Sequence, residues 1–176
     1  MRTLLTPAFA LALSAATIVP AAAEVTQKDI QVLGRALGFV TSGVGASSTI
    51  VIVYDPAVPA SVQEAAAVQG FVGTGLKAGS RSLSARLAKL DELPGLTDVA
   101  ALYLTSGLGP AAAKVGDAAR AFRVPCGTTD LAQVQNGACT IYVTTAPKIE
   151  ISVNKSVAAA EGVTFDDAFR LMIHEL

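Results

Sequence analysis

The chain has 176 residues, 52% of them hydrophobic, enough for one domain with one real core. Its 13 basic and 14 acidic side chains nearly cancel, which removes the electrostatic case for nucleic acid or an anionic membrane surface as a partner. There is no Trp, and Tyr and Phe are few, so stacking platforms for sugars or bases are poorly supplied.

Residues 1–23 read as a secretory signal: Arg2, an apolar run from Leu4 to Val19, then Ala21-Ala22-Ala23 as a small-residue cleavage site. The run is short for a membrane anchor, which needs about 20 apolar residues. The expectation is an exported, periplasmic domain over 24–176. Thr26-Gln27-Lys28-Asp29 has the form of a capping box, and Ile30, Leu33, Leu37 and Val40 follow at helical spacing, so a helix is expected over 27–40. A polar loop (41–48) precedes "TIVIVYD" (49–55), an apolar run rich in β-branched residues, as buried strands are. Pro59 sits in the first turn of a second helix, 60–73. "GFVGTGLKAGS" (70–80) lacks the ending of a phosphate-binding P-loop and reads as a helix end and a turn. Strands are expected at 82–90, where apolar and polar residues alternate, and at 98–105. A helix with Pro at its start follows over 110–122, then a short strand (123–126) and a short helix (129–137). "CTIYVTT" and "KIEISVN" flank Ala146-Pro147 as a β-hairpin. Two helices close the chain, the second starting at a capping pattern, Thr164 to Asp167, with Phe165, Phe169, Met172 and Leu176 on one face. Alternating strands and helices give the fold class: single-domain α/β, a mostly parallel sheet flanked by helices, ending in an antiparallel hairpin and C-terminal helices.

The chemistry-bearing residues are sparse. Cys126 and Cys139 are the only cysteines, and in an oxidising compartment two cysteines most simply form one disulfide. They are too far apart in sequence for a C-x-x-C redox pair, and with the one histidine, His174, they make too small a set for zinc. The same inventory lacks a nucleophile–base set, so no catalytic residue, metal or cofactor is expected. "LYLTSGLGPAAA" has the shape of a dinucleotide-binding turn, Gly107-x-Gly109-x-x-Ala112, but Pro110 removes one of the N–H donors that a pyrophosphate needs. The same turn would line a ligand crevice through Ser106, Gly107 and Gly109. Lys77, Arg81, Arg86 and Lys89 read as a solvated strand face. In the hairpin, alternation sends Ile149, Ile151 and Val153 inward and leaves Tyr142, Glu150 and Ser152 on an outer face, near a sheet edge, for a protein partner.

The stretch "PKIEISVNKSVAAAEGVTFDDAFRLMIHEL" resembles the C-terminal part of the YfiR-like family, with its Ile-Glu-Ile strand, Asn, Ala-rich turn and G-x-x-F helix. "DIQVLGRALGFV" before "TIVIVYD" is similar to that family's first helix and strand. In "LAQVQNGAC" Ala132 stands where relatives have a first cysteine, and Cys126, six residues earlier, takes its place. The resemblance implies a periplasmic, non-enzymatic α/β regulator in cyclic di-GMP signalling that binds and represses the periplasmic domain of an inner-membrane diguanylate cyclase. It implies an outer-membrane lipoprotein as a further partner and leaves room for a homodimer. Glu150 matches the family's acidic position in its strand. A periplasmic small-molecule binding or sensor protein using the α/β crevice is the alternative reading.

Overall fold

A computed structural model describes residues 24–42 and 47–176. The signal segment (1–23) and the centre of the first loop lie outside the described residues. The first helix, α1 (Gln27–Leu37), starts as its sequence predicts. The Thr26 hydroxyl accepts the Asp29 N–H, and the Asp29 carboxylate accepts the Thr26 N–H. The helix buries Ile30, Val32, Leu33, Ala36 and Leu37.

The sheet has eight strands in the order β2-β3-β1-β4-β5-β6-β7-β8. β1 (Thr49–Tyr54) lies between β3 (Arg81–Lys89) and β4 (Ala101–Leu104) and is parallel to both. β5 (Cys126–Thr128) and β6 (Ile141–Thr144) continue the parallel run. β6 then turns back into antiparallel β7 (Glu150–Val153), as the hairpin pattern predicts. Two short strands at the margins were not foreseen. β2 (Leu76–Ala78), expected as a turn, pairs antiparallel with β3. β8 (His174–Glu175), expected as the last turn of a helix, pairs parallel with β7. The expected 123–126 strand is displaced to Cys126–Thr128.

Helices cover both faces, as a parallel sheet requires. On one side α1, α2 (Pro59–Val72) and the one-turn α6 (Asp167–Arg170) pack over Ile50, Ile52, Tyr103, Ile141 and Val143. Phe169 is 1% exposed and stacks on Phe39, with ring centroids 4.9 Å apart. On the other side α3 (Ala112–Phe122) covers Val51, Val53, Leu102 and Leu104, and α4 (Leu131–Gln135) brings Val134 to the same cluster. α5 (Lys155–Glu161) packs on α3. Two glycines set the placement of α1. A Cβ at Gly34 would lie 2.6 Å from the Lys77 carbonyl, and one at Gly38 would lie 2.4 Å from the Gly79 nitrogen, so α1 rests directly on the backbone of β2 and its turn.

The closing helix is shorter than its periodicity promises. Asp166, not Thr164, caps α6 by accepting the Ala168 N–H, while Thr164 is tied to Thr41 and Ser42. Of the expected apolar face, Phe169 is buried and Phe165 half-buried, but Met172 and Leu176 face solvent.

Candidate functional site

β1 and β4 are neighbours whose chains leave in opposite directions. After β1 the chain rises through α2 on one face, and after β4 it passes through α3 on the other. The loops 55–58 and 105–109 therefore part at the carboxyl ends of these strands, where open α/β sheets form a crevice.

Buried polar side chains hold this end of the sheet. The Thr105 hydroxyl donates to the Val53 carbonyl at 2.9 Å, so Ser61 donates in the 2.7 Å bond between their hydroxyls, and Ser61 in turn accepts the Asp55 N–H at 3.0 Å. Gln133 donates to the Thr105 carbonyl at 2.9 Å and accepts the Thr128 hydroxyl at 2.7 Å. Both amide ends of Gln133 are thus used to lock the loops together.

Glu64, half-buried on α2, is the centre of the arrangement. Its Oε1 accepts the Tyr103 hydroxyl at 2.6 Å and the Thr129 hydroxyl at 3.4 Å, and its Oε2 accepts the Ser106 N–H at 2.8 Å. One carboxylate so joins α2 to the ends of β4 and β5. Tyr103 is fully buried, and burial together with the neighbouring Glu64 carboxylate pushes its phenol well above the ordinary value of 10.0. It remains a hydrogen-bond donor.

Beside this cluster, between the start of α3 and α4, lies a cavity of about 610 Å³, lined among others by Gly107, Gly109, Ala113, Asp130, Ala132 and Asn136. The volume is that of a small-molecule site. Gly109 has φ +51° and open space where its Cβ would be, which suits a wall that leaves room. Asp130 caps α4, its Oδ1 accepting the Ala132 N–H at 3.0 Å. Of the three crevice residues named from sequence, Gly107 and Gly109 line the cavity, and Ser106 does not, its N–H being bonded to Glu64.

The hairpin surface differs from its expectation. Ser152 is 1% exposed, and Tyr142 is half-buried against the core beneath α3, so the outer face of β6 and β7 is covered and Ser152 is out of a partner's reach. Alternation alone could not reveal this, because it does not say that a second layer covers the other face. Glu150 is half-buried, and Ile149, expected inward, is 55% exposed. β8 occupies the edge that β7 was expected to offer, and His174 lies on it, exposed, opposite Ser152. The exposed apolar side chains at this end are Ile149, Leu171 and Met172, and Met172 and His174 border a hollow of about 370 Å³ with Lys148 and Glu150. Arg86, read as solvated, is half-buried and donates to the Thr97 carbonyl at 2.9 Å.

Cys126 and Cys139 form a disulfide, fully buried, with Cα atoms 4.9 Å apart. Among the described residues no group of three or more His, Cys, Asp or Glu side chains could hold a metal, and no helix is long and apolar enough to cross a membrane. A second carboxyl group, Glu161 at the end of α5, is fully buried. Its Oε2 accepts the Thr140 hydroxyl and its Oε1 has no partner. Burial pushes it up to about 7, against the opposing pull of the Thr140 hydroxyl and the charge of Arg120. Glu64, Tyr103, Thr129 and Glu161 were not singled out from sequence. Their partners are 21 to 65 residues away, so no local pattern announces them.

No family model matches the chain, and no curated protein matches it. Solved structures do. A conserved domain protein of Vibrio cholerae O1 biovar eltor superposes with a TM-score of 0.60 at 14% identity, covering 85% of this chain and 59% of that one. The ABC domain in complex with L-Trp from Streptococcus pneumonia superposes with a TM-score of 0.59 at 13% identity, again over 85% of this chain and 59% of that one. At such identities the likeness is one of fold: an α/β domain with a mostly parallel sheet between helices. The chain spans about three fifths of the length of these structures.

Proposed function

We propose that this chain is an exported, non-enzymatic domain that binds a small molecule in the crevice at the carboxyl ends of β4 and β5. The observation that carries the reading is the cavity between the start of α3 and α4, with the loops after β4 and β5 fixed in advance by Glu64, Thr105 and Gln133. A site held this way needs little reordering to bind. The L-Trp carried by the pneumococcal neighbour of like fold supports the same use of the architecture. The buried disulfide supports an oxidising compartment, the periplasm. The test is a thermal-shift screen of the 24–176 domain against amino acids, amines and small carboxylic acids. A stabilising ligand should lose its effect in Ala113→Phe and Ala132→Phe, which place a large ring in the cavity from two exposed positions. A ligand whose shift survives both variants binds elsewhere and overturns the reading.

A second reading keeps the YfiR-like resemblance: a regulator that represses a membrane diguanylate cyclase by contact. The exposed cluster of Ile149, Leu171 and Met172, respectively 55%, 89% and 63% exposed, favours it. The contact surface is then this cluster with Glu150, rather than Tyr142 and Ser152. Binding of the cyclase's periplasmic domain to wild type, and its loss in Leu171→Asp, would support it; a folded Leu171→Asp that still binds would move the surface elsewhere.

A further inference from the structure

We infer that the ligand of this crevice carries a positively charged amino group next to an apolar body. The inference rests on the crevice reading above and adds the chemical class.

The wall of the cavity is largely apolar and built from small groups, Pro110, Ala113 and Ala132 among them. Among the described residues, the only charged side chain lining it is Asp130. One oxygen of Asp130 takes the Ala132 N–H, and the carboxylate still has acceptor capacity for a second donor. Gln133 is a poor hook, because it is buried and its carbonyl and one amide N–H are already bonded within the protein. Asn136, exposed at the end of α4, supplies a neutral donor and acceptor across the cavity.

The opposite assignment, an anion at the start of α3, has a physical case that fails on inspection. A helix N-terminus attracts negative charge through its unpaired N–H groups and its dipole. Here Pro110 has no N–H. The Ala111 N–H is bonded to the Leu108 carbonyl at 3.1 Å, and the Ala112 N–H to the Gly109 carbonyl. The tight first turn thus takes up the N–H groups of Ala111 and Ala112, two that an anion at the helix start would use. No lysine or arginine lines the cavity to replace them. Lys114, the nearest base along α3, borders a different groove with Leu93 and Phe122. The cavity is left with a carboxylate and no fixed positive charge. An ammonium group can pair with that carboxylate through a charge-assisted hydrogen bond, whereas a carboxylate or phosphate meets its repulsion and finds no cationic donor among the lining residues.

Three probes of equal shape separate the charge types: 2-phenylethylamine, 2-phenylethanol and phenylacetate. Each is titrated into the isotopically labelled domain to millimolar concentration, and the amide resonances of Gly107 and Gly109 are followed. The amine should bind with a dissociation constant about tenfold below that of the alcohol, and phenylacetate more weakly still. Asp130→Asn, which keeps a good helix cap, should abolish the tenfold preference while leaving thermal stability near wild type. Phenylacetate or 2-phenylethanol moving these glycines as tightly as the amine would overturn the charge class and leave the crevice as a binding site. An unchanged preference in Asp130→Asn would overturn the role of that carboxylate. Silence of both glycines to all three probes would overturn the crevice reading itself.

Discussion

Glu64 and Glu161 are two glutamates at opposite extremes of solvation by protein. Glu64 is half-buried and receives three donors from three elements. Glu161 is fully buried, receives one donor, and has one oxygen with none. It also lies in the last turn of α5, the end of a helix that disfavours negative charge. The carboxyl group that is better supplied with donors clamps the crevice. The poorly supplied one is pushed up to about 7. The contrast teaches what a fully buried carboxyl group meets when few donors reach it: burial raises Glu161, and the single Thr140 hydroxyl offsets only part of that rise.

The largest expected effect sharpens the contrast from the Glu161 side. The Cys126 N–H reaches Thr140, the one donor to Glu161, so the disulfide supports that environment and not the Glu64 end. Replacing both cysteines by alanine should cost roughly 3 kcal/mol in a denaturant titration. Alkylation of the untreated exported protein should find no free thiol; two modified thiols would refute the bridge.

Glu161 itself makes stability depend on pH. Below the ordinary value of 4.5 both folded and unfolded forms hold the proton. Between 4.5 and about 7 the unfolded chain releases it and the folded chain keeps it, so stability falls as pH rises. Above about 7 the loss is complete, on the order of 3 kcal/mol for this group. Glu161→Gln should therefore match wild type near pH 4 and exceed its melting temperature at pH 8. Equal melting curves at both pH values would break the contrast.

Glu64→Ala should cost about 2 kcal/mol, because it leaves the buried Tyr103 hydroxyl and the Ser106 N–H short of an acceptor. A urea titration beside wild type checks the loss. The smallest effect is expected at the far end of the sheet. Leu171 is 89% exposed, so Leu171→Asp should change stability by no more than about 0.5 kcal/mol. A larger loss in a melting experiment would show that this apolar cluster has structural work to do.

What could be read from the sequence follows from the range of each signal. α1 declared itself because its capping box lies within four residues. β1 and the β6–β7 hairpin did so because continuous and alternating apolar patterns are local. β2 and β8 did not, since strands of three and two residues carry almost no pattern and exist through their neighbours. The last helix was over-extended for a related reason. Helical spacing continued past Phe169, but only Phe169 and Phe165 found aromatic partners, and helices persist mainly where a face is packed. The backbone beyond turned to the open edge of β7 instead, where Leu176 donates to Val153. At the site, the glycine turn was legible and the side chains that organise it were not. Glu64 reads as one polar residue in a helix until the fold sets it beside Tyr103, 39 positions on.

The close seat of α1 on β2 has a consequence for assembly. At Gly34 the helix backbone meets the Lys77 carbonyl, so that margin of the sheet is already occupied. The β8 margin is two residues long, and Lys155 of α5 and Arg170 of α6 both pair with its Glu175. In terms of valence, the sheet of the described residues offers strand addition at most one site, not two. Growth of an open filament by strand addition needs a free margin at each end of every unit. A unit with at most one such margin cannot extend a filament by that route.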